Sequence, residues 1–585
     1  MNGFVVETMP YDVNFGKERK FSVSDTLLYK LQCTRSTSAY MDRDSVLKTV
    51  LSEIKSYLWS EYDNLSIKKI ENELRNITKI DFSEVNSSSQ NHSYDSLQKE
   101  LATLNEKCET RKIKGVYYTP SDIIRFMLSN SLNFFYGKIE NDCLNNSLHN
   151  TLPYEKICYD CTFFDPTCGS GVFLLATLEM KFNLLEKKSL TLEHKEIEKI
   201  VATLFGNDIN IDSVTITKLR LFLCVLQRCG VESVEGLSRI FDRNFFCHDF
   251  VNDSEKCAVR KYDVVIGNPP YVEDSKVQFS HHDKYGNIYA NVLSNASRLL
   301  KDNGVLSFVI PLSYISTPRM KKIREKLLKN LPKQYILNFA DRPDCLFVSV
   351  HQKLCILFAG KKSSELELFT SNYQYWYKNE RKNLFDSVRI VSNPFFSQEF
   401  IPKLGTKLEI KIYEKIIGNK KSLMNLFVPY GAVPVYLNMR ATYWIKVFSS
   451  EHLSSEYKIF RCEDIERAKL SVLLLNSSLF WWYWVCVSDC WHITNKELTG
   501  FKLPPSFDTK RVIELVDALE KRLEVTKVYV GTKQTEYEYK HKFCIREIHE
   551  NDDYVNGLYK FSPEESSYIK NFAYRYRIGE GGVRS

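Results

Sequence analysis

The segment that most constrains this chain is an apolar run that ends in two consecutive prolines. Residues 262–267 predict a buried strand, and Asn268-Pro269-Pro270-Tyr271 predicts a tight turn directly after it. Proline has a fixed φ and no backbone donor, so the strand stops here and the turn is stiff. The carbonyls and the Asn268 side-chain oxygen remain as acceptors beside the Tyr271 ring. This combination predicts a clamp for a planar ligand that carries an exocyclic amine.

A glycine turn lies upstream of this motif. Phe163-Phe164-Asp165 predicts the end of an apolar strand, Pro166-Thr167-Cys168-Gly169-Ser170-Gly171 a turn, and the residues from 172 onward a helix. Two glycines let the backbone approach a ligand closely. A dinucleotide fingerprint would need a third glycine, and a phosphate-binding loop would need a Lys-Ser/Thr pair. The acid at the strand end instead suits a ligand with a cationic amine.

In this order, the two motifs resemble those of the S-adenosylmethionine-dependent amino-methyltransferases that act on DNA, in the gamma arrangement. There the cofactor motifs come first, Asn-Pro-Pro-Tyr follows, and a target-recognition domain is C-terminal. The resemblance covers residues 111–365, is looser beyond them, and hardly extends to residues 1–110. It implies an α/β fold with a Rossmann-like methyltransferase sheet and helices on both faces. It also implies S-adenosylmethionine as cofactor and double-stranded DNA as substrate.

The resemblance assigns cofactor contacts to the ends of the predicted strands. Residues 115–120 are similar to the N-terminal cofactor motif, in which Thr119 and nearby backbone hold the methionine carboxylate. Asp208, after the apolar residues 201–205, would accept from both ribose hydroxyls, with Asp212 as a competing acid. Asp249 would accept from the adenine amine. The expected cofactor-binding residues are Tyr118, Thr119, Pro120, Asp165, Pro166, Cys168, Gly169, Gly171, Asp208, Ile209, Asp249, Phe250 and Asn268.

Asp208 lies much further from Asp165 than the roughly 20 residues typical of dinucleotide folds. We attribute the extra length to an additional charged helix around residues 192–198.

The catalytic set implied by the resemblance is Asn268, Pro269, Pro270 and Tyr271. The Asn268 side chain and the Pro269 carbonyl would accept both amine hydrogens of an adenine and turn its lone pair toward the methyl group. Catalysis is then mainly positioning. The flipped base would stack on Tyr271, with Phe347 as the candidate for its second face. Methylation of the cytosine ring carbon needs a Cys nucleophile after a Pro, and the chain has no Pro-Cys dipeptide.

We predict three parts in the chain. Residues 1–110 form a mostly helical extension, with helical stretches at 47–57 and 97–104 and a loop at 81–96. Glu53-Ile54-Lys55 has the local shape of a nuclease site but fits a helix face better. Residues 111–365 form the catalytic domain. Residues 366–585 form a target-recognition domain with C-terminal helices, and a helix is predicted at 512–523. This part holds six of the seven tryptophans.

Polar and basic residues in the last part are candidates for reading bases or holding phosphates: Asn438, Arg440, His492, Lys496 and Lys502. Nothing in the sequence selects among them. The net charge of +8, from 80 basic and 72 acidic residues, is small, so a nucleic-acid surface must be local. The basic stretch 321–329 is interpreted as a solvated helix face.

Several features bear on the cellular setting. The sixteen cysteines are scattered, which predicts reduced thiols in the cytoplasm. Cys158 and Cys161 have no partner pair, so no metal is expected. The start of the chain does not resemble a signal peptide. Residues 470–488 carry no charge and have the length of a membrane span, but Asn476-Ser477-Ser478 interrupts them. We therefore expect a soluble monomer without a membrane partner.

The sequence thus predicts a site-specific adenine-N6 DNA methyltransferase of a restriction-modification system, with a cognate restriction endonuclease as a candidate partner. Three alternatives stay open. Two are an N4-cytosine enzyme, whose motif more often begins with Ser, and an rRNA or protein methyltransferase, which is usually shorter. The last is a modification subunit that depends on a separate specificity subunit. The aromatic C-terminal part favours recognition within the chain itself.

Overall fold

A computed structural model describes most of the chain. The described ranges are 43–88, 92–104, 119–139, 144, 147–187, 192–276, 284–347, 351–361, 363–396, 399–452, 454–531 and 536–579. The predicted cofactor residue Tyr118 lies outside these ranges.

The N-terminal part is helical, as predicted. Its helices are α1 (Arg43–Glu61), α2 (Asn64–Thr78) and α3 (Tyr94–Leu104). The predicted loop at 81–96 ends earlier, because α3 begins at Tyr94. The Glu73 carboxylate accepts from the backbone amides of Gly236 (3.1 Å) and Ser238 (3.0 Å). An acid at these unsatisfied donors of a helix start is stabilising, so α2 is fixed to the unit that follows.

The interpretation of Glu53-Ile54-Lys55 as part of a helix is confirmed, because these residues lie within α1. The Lys55 ammonium donates to the carbonyls of Phe82 (3.1 Å) and Val85 (2.7 Å). Glu53 contacts the ring of His92 at 2.7 Å. Lys55 therefore fastens the connection after α2 to the α1 face.

A large mixed sheet forms the centre of the molecule. In the described ranges its strands are β1 (Phe163–Asp165), β2 (Leu204–Asn207), β3 (Phe245–Phe246), β4 (Tyr262–Gly267), β5 (Leu300–Pro311), β6 (Lys333–Phe339), β7 (Leu354–Gly360), β8 (Glu367–Gln374) and β9 (Ile390–Ser392). Their order is β3-β2-β1-β4-β5-β7-β6-β8-β9. The first five in this order pair in parallel, and β7 runs antiparallel between β5 and β6.

Helices connect and cover these strands. They are α4 (Ser121–Phe135), α5 (Tyr154–Tyr159), α6 (Val172–Glu186), α7 (His194–Val201), α8 (Ile211–Cys229), α9 (Leu237–Asn244), α10 (Ile288–Arg298), α11 (Ser313–Ser316) and α12 (Lys321–Asn330). Every residue of β1, β2 and β4 is buried. Both faces of a parallel strand must be covered for that to hold. The predicted α/β class with a methyltransferase-like sheet is confirmed.

Two details differ from the sequence prediction. The extra helix predicted around residues 192–198 exists as α7, but it continues to Val201, and the second strand starts only at Leu204. Val201 is apolar because it completes the buried face of α7. The sheet also continues past residue 365, since β8 pairs with β6 and β9 with β8. The domain boundaries themselves stay a prediction.

The C-terminal part combines small sheets with helices. Strands β10 (Val433–Asn438), β11 (Val447–Phe448) and β12 (Tyr457–Cys462) form an antiparallel sheet, and β13 (Val528–Tyr529) pairs with β14 (Tyr537–Glu538). Its helices are α13 (Lys407–Ile417), α14 (Ile465–Asn476), α15 (Ser478–Val487), α16 (Asn495–Gly500), α17 (Thr509–Thr526), α18 (Ile545–Leu558), α19 (Pro563–Asn571) and α20 (Tyr574–Ile578). The helix predicted at 512–523 is confirmed by α17.

The charge-free segment 470–488 folds into two helices that meet at Ser477. The Ser477 hydroxyl accepts from the Phe480 amide at 3.1 Å and begins the second helix. Among the described residues no single helix is long and apolar enough for a membrane span, although α14 and α15, bent by 65°, meet that test as a pair. Trp481, Trp482 and Trp484 of α15 are fully buried.

The last described helix, α20, is anchored by a buried arginine. The Arg577 guanidinium lies 4.0 Å from the ring centre of Trp444 and 4.3 Å from that of Trp481. It also donates to the Tyr443 carbonyl (3.1 Å) and the Ser478 hydroxyl (3.2 Å). Burial lowers the pKa of Arg577 to about 10, so it stays charged at neutral pH. A single cation thus joins α20, the β10–β11 connection and α15.

Arg577→Ala is expected to lower the free energy of unfolding by about 3 kcal/mol, because it removes a buried cation between two rings and leaves buried acceptors unpaired. Chemical denaturation followed by tryptophan fluorescence measures this change. The matched control is Arg546→Ala on α18. The Arg546 side chain is 84% exposed and forms an ion pair with Glu550 at 3.3 Å, so a change of less than about 0.5 kcal/mol is expected. Equal effects of the two substitutions would contradict the anchoring role.

Candidate active site

The glycine turn connects β1 to α6 at the carboxyl edge of the sheet. Gly169 and Gly171 have φ values of +54° and +75°, a region that side chains disfavour. A Cβ at Gly169 would meet nothing within 4 Å, whereas a Cβ at Gly171 would lie 2.5 Å from the Thr217 side chain. The turn is therefore open at Gly169 and closely packed at Gly171.

Helix α8 holds this turn from outside. The Thr217 hydroxyl donates to the Gly169 carbonyl at 2.9 Å, and the Arg220 guanidinium donates to the Ser170 carbonyl at 2.5 Å. Arg220 is itself fixed by Gln98 of α3 at 3.0 Å. Sequence reasoning missed Thr217 and Arg220, since neither belongs to a motif. The sequence offers one local indication of their role, namely that each is a polar residue on a mostly apolar face of α8.

Asp208 directly follows β2 and contacts the turn. Its carboxylate accepts from the Gly169 amide at 2.9 Å and from the Asn210 amide at 2.9 Å. Asp212 lies one helical turn further on, at the start of α8. Of these two acids, Asp208 is therefore the one that the described contacts bring to the glycine turn. Ile209 beside it is largely exposed.

Asn207 is a third residue that sequence reasoning missed. Its buried amide nitrogen donates to the carbonyls of Pro166 (3.0 Å) and His248 (3.1 Å), and its side-chain oxygen accepts from the His248 amide. It therefore ties together the loops that follow β1, β2 and β3. The sequence feature that could have indicated its role is a polar residue, Asn207, at the end of the fully buried strand β2.

The loop after β3 contains Asp249 and Phe250. The Asp249 carboxylate accepts from the amides of Val251 (3.0 Å) and Asn252 (backbone 3.4 Å, side chain 2.7 Å). Phe250 is buried and its ring centre lies 5.8 Å from that of Phe164 on β1. The structure thus places the ends of β1, β2 and β3 side by side, as the predicted cofactor site requires.

The turn after β4 is held by two side-chain contacts of Asn268. The Asn268 amide nitrogen donates to the Thr119 hydroxyl at 3.3 Å, and its oxygen accepts from the Tyr271 hydroxyl at 2.5 Å. The Tyr271 hydroxyl also lies 3.0 Å from the Val309 carbonyl of β5. The predicted catalytic turn and the predicted N-terminal cofactor motif therefore meet at Asn268, although 149 positions separate Asn268 from Thr119 in sequence.

Asp165 and the catalytic turn are neighbours because β1 and β4 pair in parallel, with Phe164 opposite Val265. A Cβ at Gly267 would lie only 2.6 Å from the Asp165 carboxyl oxygen. Complete burial raises the pKa of Asp165 to about 8, the Thr167 amide opposes this shift, and the nearby Asp208 charge adds to it. The free protein thus holds a mostly neutral acid that a nearby cation would ionise.

The remaining predicted residues lie around this centre. Pro120 begins α4, Cys168 is buried next to Thr217, and Pro269 is buried in the turn. Phe347, the candidate for the second stacking face, is only 1% exposed. Among the base-reading candidates, Lys496 pairs with Glu497 at 3.1 Å and donates to the carbonyls of Ser316 (2.7 Å) and Val487 (2.8 Å), so it links the C-terminal part to the catalytic unit. The functional roles of all these residues stay predictions.

The chain is similar in sequence to known restriction-modification proteins. Residues 202–345 match the family model described as Eco57I restriction-modification methylase. The resemblance to restriction-modification methylases predicted from the sequence is thereby confirmed. The matched segment begins directly after α7, runs through the catalytic turn to the loop after β6, and includes Asp208, Asp249 and Asn268.

Two curated relatives resemble the chain over part of its length. The type II restriction enzyme and methyltransferase RM.Eco57I of Escherichia coli is 19% identical over 323 residues, which are 47% of this chain and 31% of the relative. The type II methyltransferase M.VspI of Vibrio sp. (strain 343) is 24% identical over 226 residues, 37% of this chain and 42% of the relative. The chain thus matches less than half the length of either relative.

A solved structure shares the overall fold. The type IIL restriction-modification enzyme MmeI, solved in complex with DNA, superposes with a TM-score of 0.51. The superposition covers 94% of this chain and 95% of that one at 13% sequence identity. At this identity the likeness shows the fold.

Gly171→Ala is expected to destabilise the chain more than Gly169→Ala. Both alanines would adopt an unfavourable positive φ, which costs about 1 kcal/mol. Only the alanine at 171 would also collide with Thr217, which adds about 1–3 kcal/mol. Urea denaturation of both variants measures the difference, and Gly169→Ala is the matched control. Indistinguishable unfolding midpoints would contradict the close packing at Gly171.

Proposed function

We propose that this chain is a site-specific DNA methyltransferase that moves a methyl group from S-adenosylmethionine to the N6 amine of an adenine flipped out of duplex DNA. We further propose that it acts within a restriction-modification system, with a cognate endonuclease as partner. The observation that carries the proposal is the fixed orientation of the Asn268 side-chain amide. This amide is fixed between Thr119 and Tyr271, beside Asp165 and the glycine turn.

The residues present fit the cofactor. Asp165 offers a buried acid for the cationic amine, and the open space at Gly169 admits a ligand close to the backbone. Asp208 and Asp249 would accept from the ribose hydroxyls and the adenine amine, with Phe250 beside the ring. When bound, S-adenosylmethionine would supply a methyl group on a sulfonium. The neutral thioether that remains after transfer is a good leaving group.

The chain's own contribution is orientation of the target amine. An amide oxygen can accept two hydrogen bonds, so the Asn268 oxygen can accept from Tyr271 and from the base amine together. The Thr119 contact fixes which way the amide points. With the Pro269 carbonyl as second acceptor, both amine hydrogens are held and the lone pair is directed to one side. Preorganised acceptors of this kind need no rearrangement during the reaction.

Base flipping gives access to the amine. Unstacking a base costs a few kcal/mol, and stacking on an aromatic side chain returns about 1–3 kcal/mol. The Tyr271 ring lies at the catalytic turn, edge-on to Tyr289 with 6.4 Å between ring centres. Tyr271 would therefore both support the base and hold the Asn268 amide through its hydroxyl.

Asn268→Ala is expected to reduce methyl transfer by at least about 100-fold, because it removes one of two preorganised acceptors. The variant is expected to retain its affinity for the cofactor. Transfer of tritium from labelled S-adenosylmethionine to duplex DNA measures methyl transfer, and equilibrium dialysis measures cofactor affinity. Asn571→Ala, an exposed position on α19, is the control. A variant that keeps most of its turnover would refute the role of Asn268.

Cofactor affinity is expected to rise with pH up to about 8 and then level off. The pKa of Asp165 is raised to about 8 in the free protein, and binding a cation favours its ionised form. Below pH 8 binding must therefore release a proton, so affinity falls as pH falls. Calorimetric titrations between pH 6 and 9 measure this slope. Asp165→Asn should weaken binding and flatten the profile. A wild-type affinity independent of pH over this range would contradict the assignment.

A further inference from the structure

Trp491 differs from the other tryptophans near it. Trp481, Trp482 and Trp484 are buried in α15, whereas Trp491 is 39% exposed. It lies in the short connection between α15 and α16. Exposure alone does not distinguish Trp491, because Trp59 on α1 is also exposed; its place beside the carboxyl edge of the sheet does.

The connection that carries Trp491 is rigid. The Asp489 carboxylate accepts from the amides of Trp491 (2.9 Å) and His492 (3.1 Å). Cys490 between them has a φ of +57°, which is unfavourable for any residue with a Cβ. Such backbone strain persists only where the surroundings enforce it, and it concentrates at functional sites.

A second segment pairs with this connection. The Ala441 amide donates to the Trp491 carbonyl at 3.2 Å, and the Ile493 amide donates to the Met439 carbonyl at 2.9 Å. Arg440 and His492 form an antiparallel bridge between these bonds. The ring is therefore presented from two paired segments and is preorganised for contact.

Trp491 lies at the same edge of the sheet as the catalytic turn. The Lys353 ammonium is 4.3 Å from the centre of the Trp491 ring, and the Lys353 carbonyl accepts from Leu312 just after β5. On the other side of β5, the Tyr271 hydroxyl contacts Val309. Strands β4 and β7 are two spacings apart, roughly 10 Å. Tyr271 and the lysine that contacts the Trp491 ring therefore belong to strand ends at one edge of the sheet.

The surroundings of the ring suit an anionic strand. Arg342 lines a small cleft beside the ring, of about 30 Å³, together with Lys353 and with Asp341, whose carboxylate pairs with Lys353 at 3.4 Å. The Arg440 and His492 side chains are 67% and 49% exposed. Their acidic neighbours, Glu456 and Asp489, lie 3.7 and 4.0 Å away, and exposed ion pairs of this kind are weak. DNA phosphates can therefore compete for the Arg440 guanidinium and for the ring N–H of His492.

We infer that Trp491 stacks inside the DNA duplex next to the target position and stabilises the flipped state. This inference rests on the proposed function and names a DNA-contacting residue for it. The ring would take up stacking that the neighbouring bases lose when the target base leaves. Arg342, Arg440 and His492 would hold the phosphates around it.

The test compares two duplexes that contain the mapped target base. In one the base is normally paired, and in the other it faces an abasic site, where flipping costs less. Trp491→Ala should lower kcat/KM on the paired duplex by about 5- to 150-fold, the equivalent of about 1–3 kcal/mol. On the abasic duplex the loss should shrink to less than about 3-fold, because the unpaired base leaves the stack at a lower cost and less of that cost is left for the ring to offset. Trp491→Phe should retain most activity on both.

Matched controls keep the outcome interpretable. Trp59→Ala changes another exposed tryptophan, on α1 in the N-terminal part, and should affect neither duplex. If Trp491→Ala lowers the unfolding midpoint, the same kinetic comparison is made with the Trp491→Leu variant instead. Fluorescence of 2-aminopurine at the target position reports unstacking directly and should fall in both the Ala and Leu variants.

Three results would overturn the inference: no effect of Trp491→Ala on the paired duplex, an equal loss on both duplexes, or unchanged 2-aminopurine fluorescence. A wild-type chain that labels neither duplex contradicts the proposed function itself, and the inference then falls with it. The two failures are therefore distinguishable.

Discussion

The parallel pairing of β1 with β4 is the constraint on which the candidate site depends. It places Asp165 against Gly267, so closely that any side chain at 267 would strike the carboxyl group. Because the carboxyl ends of parallel strands share one edge, the cofactor turn after β1 and the catalytic turn after β4 must lie together. Both strands are fully buried, which makes this register costly to change.

Side-chain hydrogen bonds then convert neighbouring loops into a defined site. Asn207 joins the loops after β1, β2 and β3, and Asp208 holds the Gly169 amide. Thr119 and Tyr271 fix the Asn268 amide from both ends. These contacts are short, and most are partly or fully buried. The energetic advantage of such a site is that its acceptors are already in place before a ligand arrives.

Much of the fold could be predicted from the sequence, because its signals are local. Residues 163–165 and 262–267 are mostly apolar and each is followed within two residues by proline, so they predict strands that end in turns, and the structure has them. The roles of Thr217, Arg220 and Asn207 could not be predicted, since they depend on contacts across 41 to 50 positions. Lys496 shows the opposite limit. A lysine in this part of the chain is the residue type expected for a phosphate contact, yet the Lys496 ammonium donates to two backbone carbonyls.

The central claim is that the chain methylates adenine in duplex DNA. Sequencing of DNA from cells with and without the chain, at single-molecule resolution for modified bases, tests it most directly. The account predicts N6-methyladenine at one short recognition sequence only when the chain is present, and its loss with Asn268→Ala. Methyl groups found on cytosine, RNA or protein instead, or unchanged DNA, would contradict it.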